Sequence, residues 1–246
     1  MTGTIVPERL DKLNGITLNS GSHEGPDDGM CVMEAAAWIA GEEWTDSPVC
    51  VSPLLAEFCR LLNDAWGDSD RQRLKPFAAR VIGTAGDGQD NARSYLALDW
   101  LVRTYTPAWL DLAGMREDAT ELRERRRIAD RTAAAAAQES IKAARQSAAA
   151  AWDAAWDAAG AAAGDAALDA AWDAAGAAAG DAALDAAWAA AGAAARAAAG
   201  DAAWDAARDA LAPTVRHLQA SALGLLDRMI DPRASTASRT DEEAAR

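Results

Sequence analysis

The sequence predicts a mainly all-α protein: a small helical N-terminal domain, a long alanine-rich tract of four-residue units, and an amphipathic helix near the C-terminus. Three observations carry this. From Ala148 to Ala212 the chain reads in fours, two alanines opening almost every unit, and alanine has the highest helix propensity of all residues. The same tract lacks the β-branched residues that a β-solenoid would need for packing. Outside it, apolar residues recur at helical spacing between glycines, prolines and capping residues.

Residues 1–27 are expected to form a lead-in, loose from Met1 to Asn14 and extended over Ile16 to Leu18, before the turns Asn19 to Ser22 and Gly25 to Gly29. A helical globular domain is expected over 28–131. Asp28 is a good N-cap for a helix from Met30 to Ala40, and Gly41 ends it. Ser52 caps a second helix with Pro53 at its first position; Leu54, Leu55, Phe58, Leu61, Leu62 and Trp66 form its apolar stripe. Asp68 to Lys75 adds a further turn or two, stopped by Pro76, and Phe77 to Ile82 resumes the helix until Gly83. A helix from Asp90 to Tyr105 turns Tyr95, Leu98, Leu101 and Val102 inward, and Pro107 starts a short one carrying Trp109, Leu110 and Leu112. Arg123, Arg125, Arg126, Arg127 and Arg131 make the next segment basic: a solvated helix, or one that docks on an acidic face of the repeat.

The tetrad tract occupies 132–212. Its third column holds Trp156, Trp172, Trp188 and Trp204 at an even interval of sixteen, with six glycines between and among them, Gly164 and Gly180 included. A period of four against about 3.6 residues per turn rotates each successive tetrad by about 40°, so no single apolar stripe forms. One continuous helix is the preferred form, because no proline or turn cluster interrupts the tract before Pro213. The alternative is a set of folded-back helices broken at Gly164-Asp165, Gly180-Asp181 and Gly200-Asp201, each a stop followed by an N-cap. In either form the glycines leave notches into which indoles of a facing helix can insert. After Pro213, residues 213–230 form an amphipathic helix with Val215, Leu218, Ala222, Leu225, Leu226, Met229 and Ile230 on one side, expected to dock on the first domain or on a copy of itself. The tail 231–246 is expected to be disordered.

Composition narrows the function classes. The net charge is −14 and ten aspartates lie between Asp153 and Asp209, which repels a nucleic-acid backbone. Charges punctuate every apolar run, so no membrane span is expected. The odd set Cys31, Cys50 and Cys59, without a paired spacing and without a signal-like N-terminus, fits a reducing cytoplasm. No catalytic, cofactor or metal motif is present and no small-molecule substrate is indicated.

The segments Pro26-Asp-Asp-Gly-Met-Cys-Val-Met-Glu-Ala-Ala-Ala-Trp-Ile-Ala-Gly41, Trp44-Thr-Asp-Ser-Pro-Val-Cys-Val-Ser-Pro53 and Arg71-Gln-Arg-Leu-Lys-Pro76 resemble a family of proteins of actinobacteria and their phages that has no established activity. In that family the module is often followed by alanine tetrads and a leucine-rich end like Gln219 to Ile230. The resemblance implies phage or bacterial origin and this domain layout. The alanine-tryptophan tetrads also look like those of bacterial toxin-immunity proteins.

The expectation is therefore a non-enzymatic structural or interaction protein, a homo-oligomer or the binder of a protein partner, with Trp156, Gly164, Trp172, Gly180, Trp188 and Trp204 as the contact residues. An acidic inhibitor or immunity-type protein acting on a basic partner, by imitating nucleic-acid charge, is the alternative. An enzyme is the third reading: His23, Asp27, Asp28, Cys31 and Glu34 lie close in the chain, and a thiol at a helix start beside an imidazole could be an activated nucleophile. A structural metal on His23, Cys31, Cys50 and Cys59 has acceptable ligand types but no paired spacing. His217 is expected on the polar side of the last helix.

Overall fold

The computed structural model describes residues 4–112, 114–138, 140, 143 and 209–233. These are mainly helical, with no sheet and one isolated parallel bridge between Leu18 and Met30. The chain divides into two compact units, Met1–Leu101 with Arg127–Ala134 and Ala220–Arg246, and Val102–Arg126 with Ala135–Gln219.

The first unit is built around α2, Val32–Ala40. Its sequence is apolar all round except for Glu34 in the first turn, and Val32, Met33, Ala35, Ala36, Ala37 and Ile39 are all buried, as such a helix must be. It packs on α1 (Pro7–Lys12), α3 (Pro53–Ala65) and α5 (Lys75–Arg80). Leu55, Cys59 and Leu62 of α3 and Phe77 of α5 enter the same core. Gly41, at φ +72, ends α2 in the left-handed conformation that glycine adopts without penalty. α4 (Asp68–Arg71) runs through a 3₁₀ turn, Gln72–Leu74, directly into α5. α6 (Asp90–Trp100) packs on α3.

Several expectations are corrected. The lead-in is not loose: Pro7 opens α1 at its first turn, Leu13 is buried, the Val6 N–H donates to Ile39 O at 2.9 Å, and Arg9 Nη1 donates to Trp38 O at 2.7 Å. The body therefore does not begin at residue 28. Helix α2 starts at Val32, not Met30, because the bridge to Leu18 holds Met30 extended and Cys31, not Asp28, is the N-cap. Pro76 lies in the first turn of α5, where a missing N–H costs nothing, so it opens that helix and does not stop one. On α3, Leu54 and Leu61 face solvent while Leu55, Leu62 and Trp66 face the core. The helix from Asp90 changes at Leu101 into a π-helical turn, Leu101–Tyr105; Arg93 and Leu96 are its buried residues within α6, Val102 is buried, and Leu101 is exposed.

In the second unit α7 (Thr106–Leu112) packs on α8 (Arg116–Glu124). Leu110, Ala119 and Leu122 are buried there, and Tyr105 meets Trp109 edge to face with ring centroids 6.2 Å apart. Two helices follow, α9 over 131–138 and α10 over 209–230. Pro213 lies inside α10, where its missing N–H leaves the carbonyl of Asp209 without an i+4 donor, so it does not break the helix as expected. The predicted stripe of α10 is confirmed: Ala222, Leu225, Leu226 and Met229 belong to the core of the first unit, which decides in favour of docking on the chain's own body. The expected tetrad region 132–212 lies outside the described residues from 144 to 208, and the tail lies outside them beyond 233.

The first unit also contains a buried cation. Arg93 is wholly buried on α6 and donates through Nε to Met229 O at 2.9 Å, through Nη1 to Asp87 and Asp90, and through Nη2 to Asp87 at 2.5 Å. Asp90 in turn accepts from Ser52 Oγ at 2.5 Å. One guanidinium thus ties α10, α6 and the start of α3 together.

Candidate functional site

The cluster singled out in the sequence is real in part. Glu34, in the first turn of α2, is buried, and its carboxylate accepts from the His23 N–H at 2.6 Å, from His23 Nδ1 at 2.8 Å and from the Cys31 N–H at 2.7 Å. Cys31 Sγ accepts from the Glu34 N–H at 3.4 Å, which completes a capping box with a thiol in place of the usual hydroxyl. The Val32 N–H, next in the row of unpaired donors, goes to Asn63 Oδ1 at 3.1 Å. Trp44 Nε1 closes the far side by donating to His23 O at 2.7 Å. Gly29 makes the close approach possible: at φ +110 a Cβ there would stand 3.0 Å from Asn19 Oδ1 and 3.2 Å from the His23 ring. Asp27 and Asp28 stay exposed in the turn and join nothing in this cluster.

This arrangement ties down backbone. Burial pushes the Cys31 thiol up to about 12, the opposite of what nucleophilic activation requires, and the neighbouring Glu34 charge works in the same direction. The helix start that could have lowered it is outweighed by desolvation. Cys50 and Cys59 are likewise buried and raised to about 12, by burial first and, for Cys50, by the Glu42 carboxylate. Cys31 in this setting is a buried cap, protonated well above neutral pH. Among the described residues no group of three or more His, Cys, Asp or Glu side chains is placed to hold a metal ion.

The expected contact residues Trp156, Gly164, Trp172, Gly180, Trp188 and Trp204 lie outside the described residues, and so does any acidic face of the repeat on which the basic segment could dock. Within the second unit, Arg123 pairs with Asp111, and Arg125 pairs with Glu121 at 3.0 Å while donating to Ala136 O at 2.9 Å. His217 is exposed on α10, as expected.

Sequence reasoning missed an open hollow of about 610 Å³ beside the start of α3, lined by Pro48, Val49, Pro53, Arg60 and Asp90 among others. Val49 is 76 % exposed. The Glu42 carboxylate fixes the loop by accepting the N–H groups of Val49 and Cys50 at 2.8 and 2.9 Å, so an apolar side chain is held in water by a buttressed backbone. The only signal in the sequence was Glu42 itself, whose donors cannot be assigned without the fold. Among the described residues no helix is long and apolar enough to cross a membrane.

Compared with protein families, with curated proteins and with solved structures, the chain matches none.

Proposed function

We propose that this is a non-enzymatic interaction protein, in which a helical body carries the alanine tetrads and the tetrads bind a second copy of the chain or another protein. The observation that supports the reading is the anchoring of both flanks of the tract on one body. Residues 127–134 and 220–233 belong to the same unit. On one flank the Ile128 N–H donates to Asp99 Oδ1 at 2.8 Å; on the other Arg93 holds Met229 O and Arg80 pairs with Asp227 at 2.6 Å. A stretch that repeats tryptophan, glycine and alanine at fixed spacing between two anchors suits display better than chemistry. A buried aromatic covers on the order of 150 to 250 Å² and dominates the energetics of an interface. Val49 and Leu61, 76 % and 59 % exposed, supply apolar surface on the body as well.

Sedimentation with circular dichroism on Gly164→Leu and Gly180→Leu tests the reading. Leucine is the better helix former by up to about 1 kcal/mol, so helicity should hold or rise while association falls as the notches fill. Undiminished association at higher helicity would remove the tetrads from the contact. The second reading, an acidic inhibitor of a basic partner, is favoured by the ten aspartates between Asp153 and Asp209. It requires a captured partner to be released by salt.

A further inference from the structure

One side of the first unit carries a projecting apolar side chain with a recess next to it. Val49 is 76 % exposed and stands at the rim of the hollow of about 610 Å³ that Pro48, Pro53 and Ala56 line with it. Val51 and Ala56, both buried, form its floor. Hydrogen bonds fix the loop that carries the valine. Glu42 accepts the N–H groups of Val49 and Cys50 at 2.8 and 2.9 Å, Arg60 Nη1 ties the loop to α3 by donating to Asp46 O at 2.8 Å, and Cys50 O accepts the N–H groups of Gly83 and Ala85 at 2.9 and 3.2 Å. A loop held in this way has little freedom left to lose when it is covered, so the ordering cost that weakens most contacts is small here.

Charge does not oppose a second copy at this face. Of the ten residues that line the hollow only Arg60 and Asp90 are charged, and each is ion-paired within its own chain, Arg60 with Glu57 at 2.5 Å and Asp90 with Arg93 at 2.9 Å. The chain as a whole has a net charge of −14, which keeps copies apart; a lining with one charge of each sign adds nothing to that repulsion.

We propose that this face joins two copies of the chain, the Val49 of each seated in the hollow of the other. In a two-fold contact one surface meets itself, so it must carry a projection and a recess side by side. Val49 and the hollow meet that condition, on a backbone already fixed. The hollow is several times larger than a valine side chain, so it takes the tip of the loop with Val49 at its centre. The inference concerns the body alone and is independent of the tetrads and of what they bind.

The experiment is sedimentation equilibrium of the full chain, with and without Gly164→Leu and Gly180→Leu, so that a body contact is separated from one made by the tetrads. A dimer is expected in both backgrounds. Val49→Ala removes two methyl groups from each half of the contact and should weaken dimerisation on the order of a hundredfold. Val49→Asp puts a carboxylate into an apolar recess and should weaken it further, with the thermal melt unchanged because Val49 is exposed. Pro53→Glu tests the hollow itself and should act in the same direction, since an acidic residue in the first turn suits a helix. Leu61→Glu, 59 % exposed and outside the lining, should leave the dimer intact. A monomer at about 1 mM in the glycine-substituted background, unchanged association in Val49→Asp, or equal weakening by Leu61→Glu overturns the proposal. If the unsubstituted chain associates and only the glycine substitutions weaken it, this inference fails while the tetrad reading stands; loss with Val49→Asp and none with the glycine substitutions gives the reverse.

Discussion

Glu34 and His23 are joined twice: one carboxylate oxygen accepts the His23 backbone N–H at 2.6 Å and the other accepts Nδ1 of the same residue at 2.8 Å. The second oxygen also takes the Cys31 N–H at 2.7 Å, so one buried side chain both fixes the turn and caps α2. Glu34→Ala leaves two backbone donors without their acceptor, each costing roughly 1 to 3 kcal/mol. Urea unfolding should show a loss on the order of 3 kcal/mol. Cys31→Ser keeps an acceptor at the N-cap and should be near neutral, whereas Cys31→Ala should cost about 1 kcal/mol. Equal effects of Ser and Ala at Cys31 would show that Sγ does not act as the cap.

The three buried thiols predict an alkaline limit. Their ordinary value is 9.0, and burial raises each to about 12 in the folded chain. Above pH 9 the unfolded chain therefore releases protons that the folded chain retains. The thiols' contribution to stability is constant below pH 9 and falls as the pH rises from there toward 12, by up to about 1.4 kcal/mol per pH unit for each thiol. Denaturation midpoints measured from pH 7 to 11 should fall in that window, and Cys59→Ala should flatten the slope despite lowering stability at neutral pH. Alkylation at pH 8 should modify none of the three quickly until denaturant is added. Rapid modification of Cys31 in the native chain would contradict its burial.

Arg93 is the residue whose loss should reach furthest. Its wholly buried guanidinium serves Met229 O, Asp87 and Asp90, and both carboxylates keep some exposure, 29 % and 47 %, so they rehydrate in part when the cation goes. Arg93→Met is expected to cost about 3 kcal/mol, mainly from orphaned buried acceptors and lost packing. The same pair sets an acid dependence. The Arg93 hydrogen bond holds the Asp87 carboxyl below its ordinary 3.8, so its contribution is present above that value and is lost as the pH falls through the folded-state value. Unfolding curves between pH 5 and 2 should be less steeply acid-dependent in Arg93→Met than in the wild-type chain.

The parts of this architecture that were legible in the sequence are those where one property decides the outcome. Val32 to Ala40 is apolar on every side but for Glu34 in its first turn, so it had to be a buried helix, and Gly41 had to end it. Leu225, Leu226 and Met229 form an apolar stripe that had to be covered, although only the fold shows that this chain's own core covers it. What escaped depends on competition between residues far apart in the chain. Asp28 is a better N-cap than cysteine by propensity, yet the pairing of Leu18 with Met30 moved the cap to Cys31. Leu54 and Leu61 lie together on one edge of a stripe about 140° wide on α3, and nothing local says which edge meets the core. Arg93 looks like any helix-surface arginine until Asp87, Asp90 and Met229 surround it. Glu34 was noticed, but as a catalytic candidate, because a carboxylate beside a histidine has the same spelling in a capping box and in an active site.

The two forms considered for the tetrad tract differ in a distance that can be measured between described residues. Arg131 belongs to Arg127–Ala134 and Arg228 to Ala220–Arg246, and both segments lie in one compact unit. A unit of that size has a diameter of roughly 40 Å. A single straight helix from Thr132 through α10, at 1.5 Å per residue, would instead put the two residues about 145 Å apart. Spin labels at positions 131 and 228, on a chain whose Cys31, Cys50 and Cys59 are buried and slow to react, should report a distance within the diameter of the unit. The Arg93→Met chain should broaden that distribution, since it removes the bond to Met229 O while leaving the apolar stripe of α10 in place. A distance above about 100 Å in the wild-type chain would mean that α10 does not return to the body in solution. The anchoring of both flanks, and the interaction reading that rests on it, would then fail together.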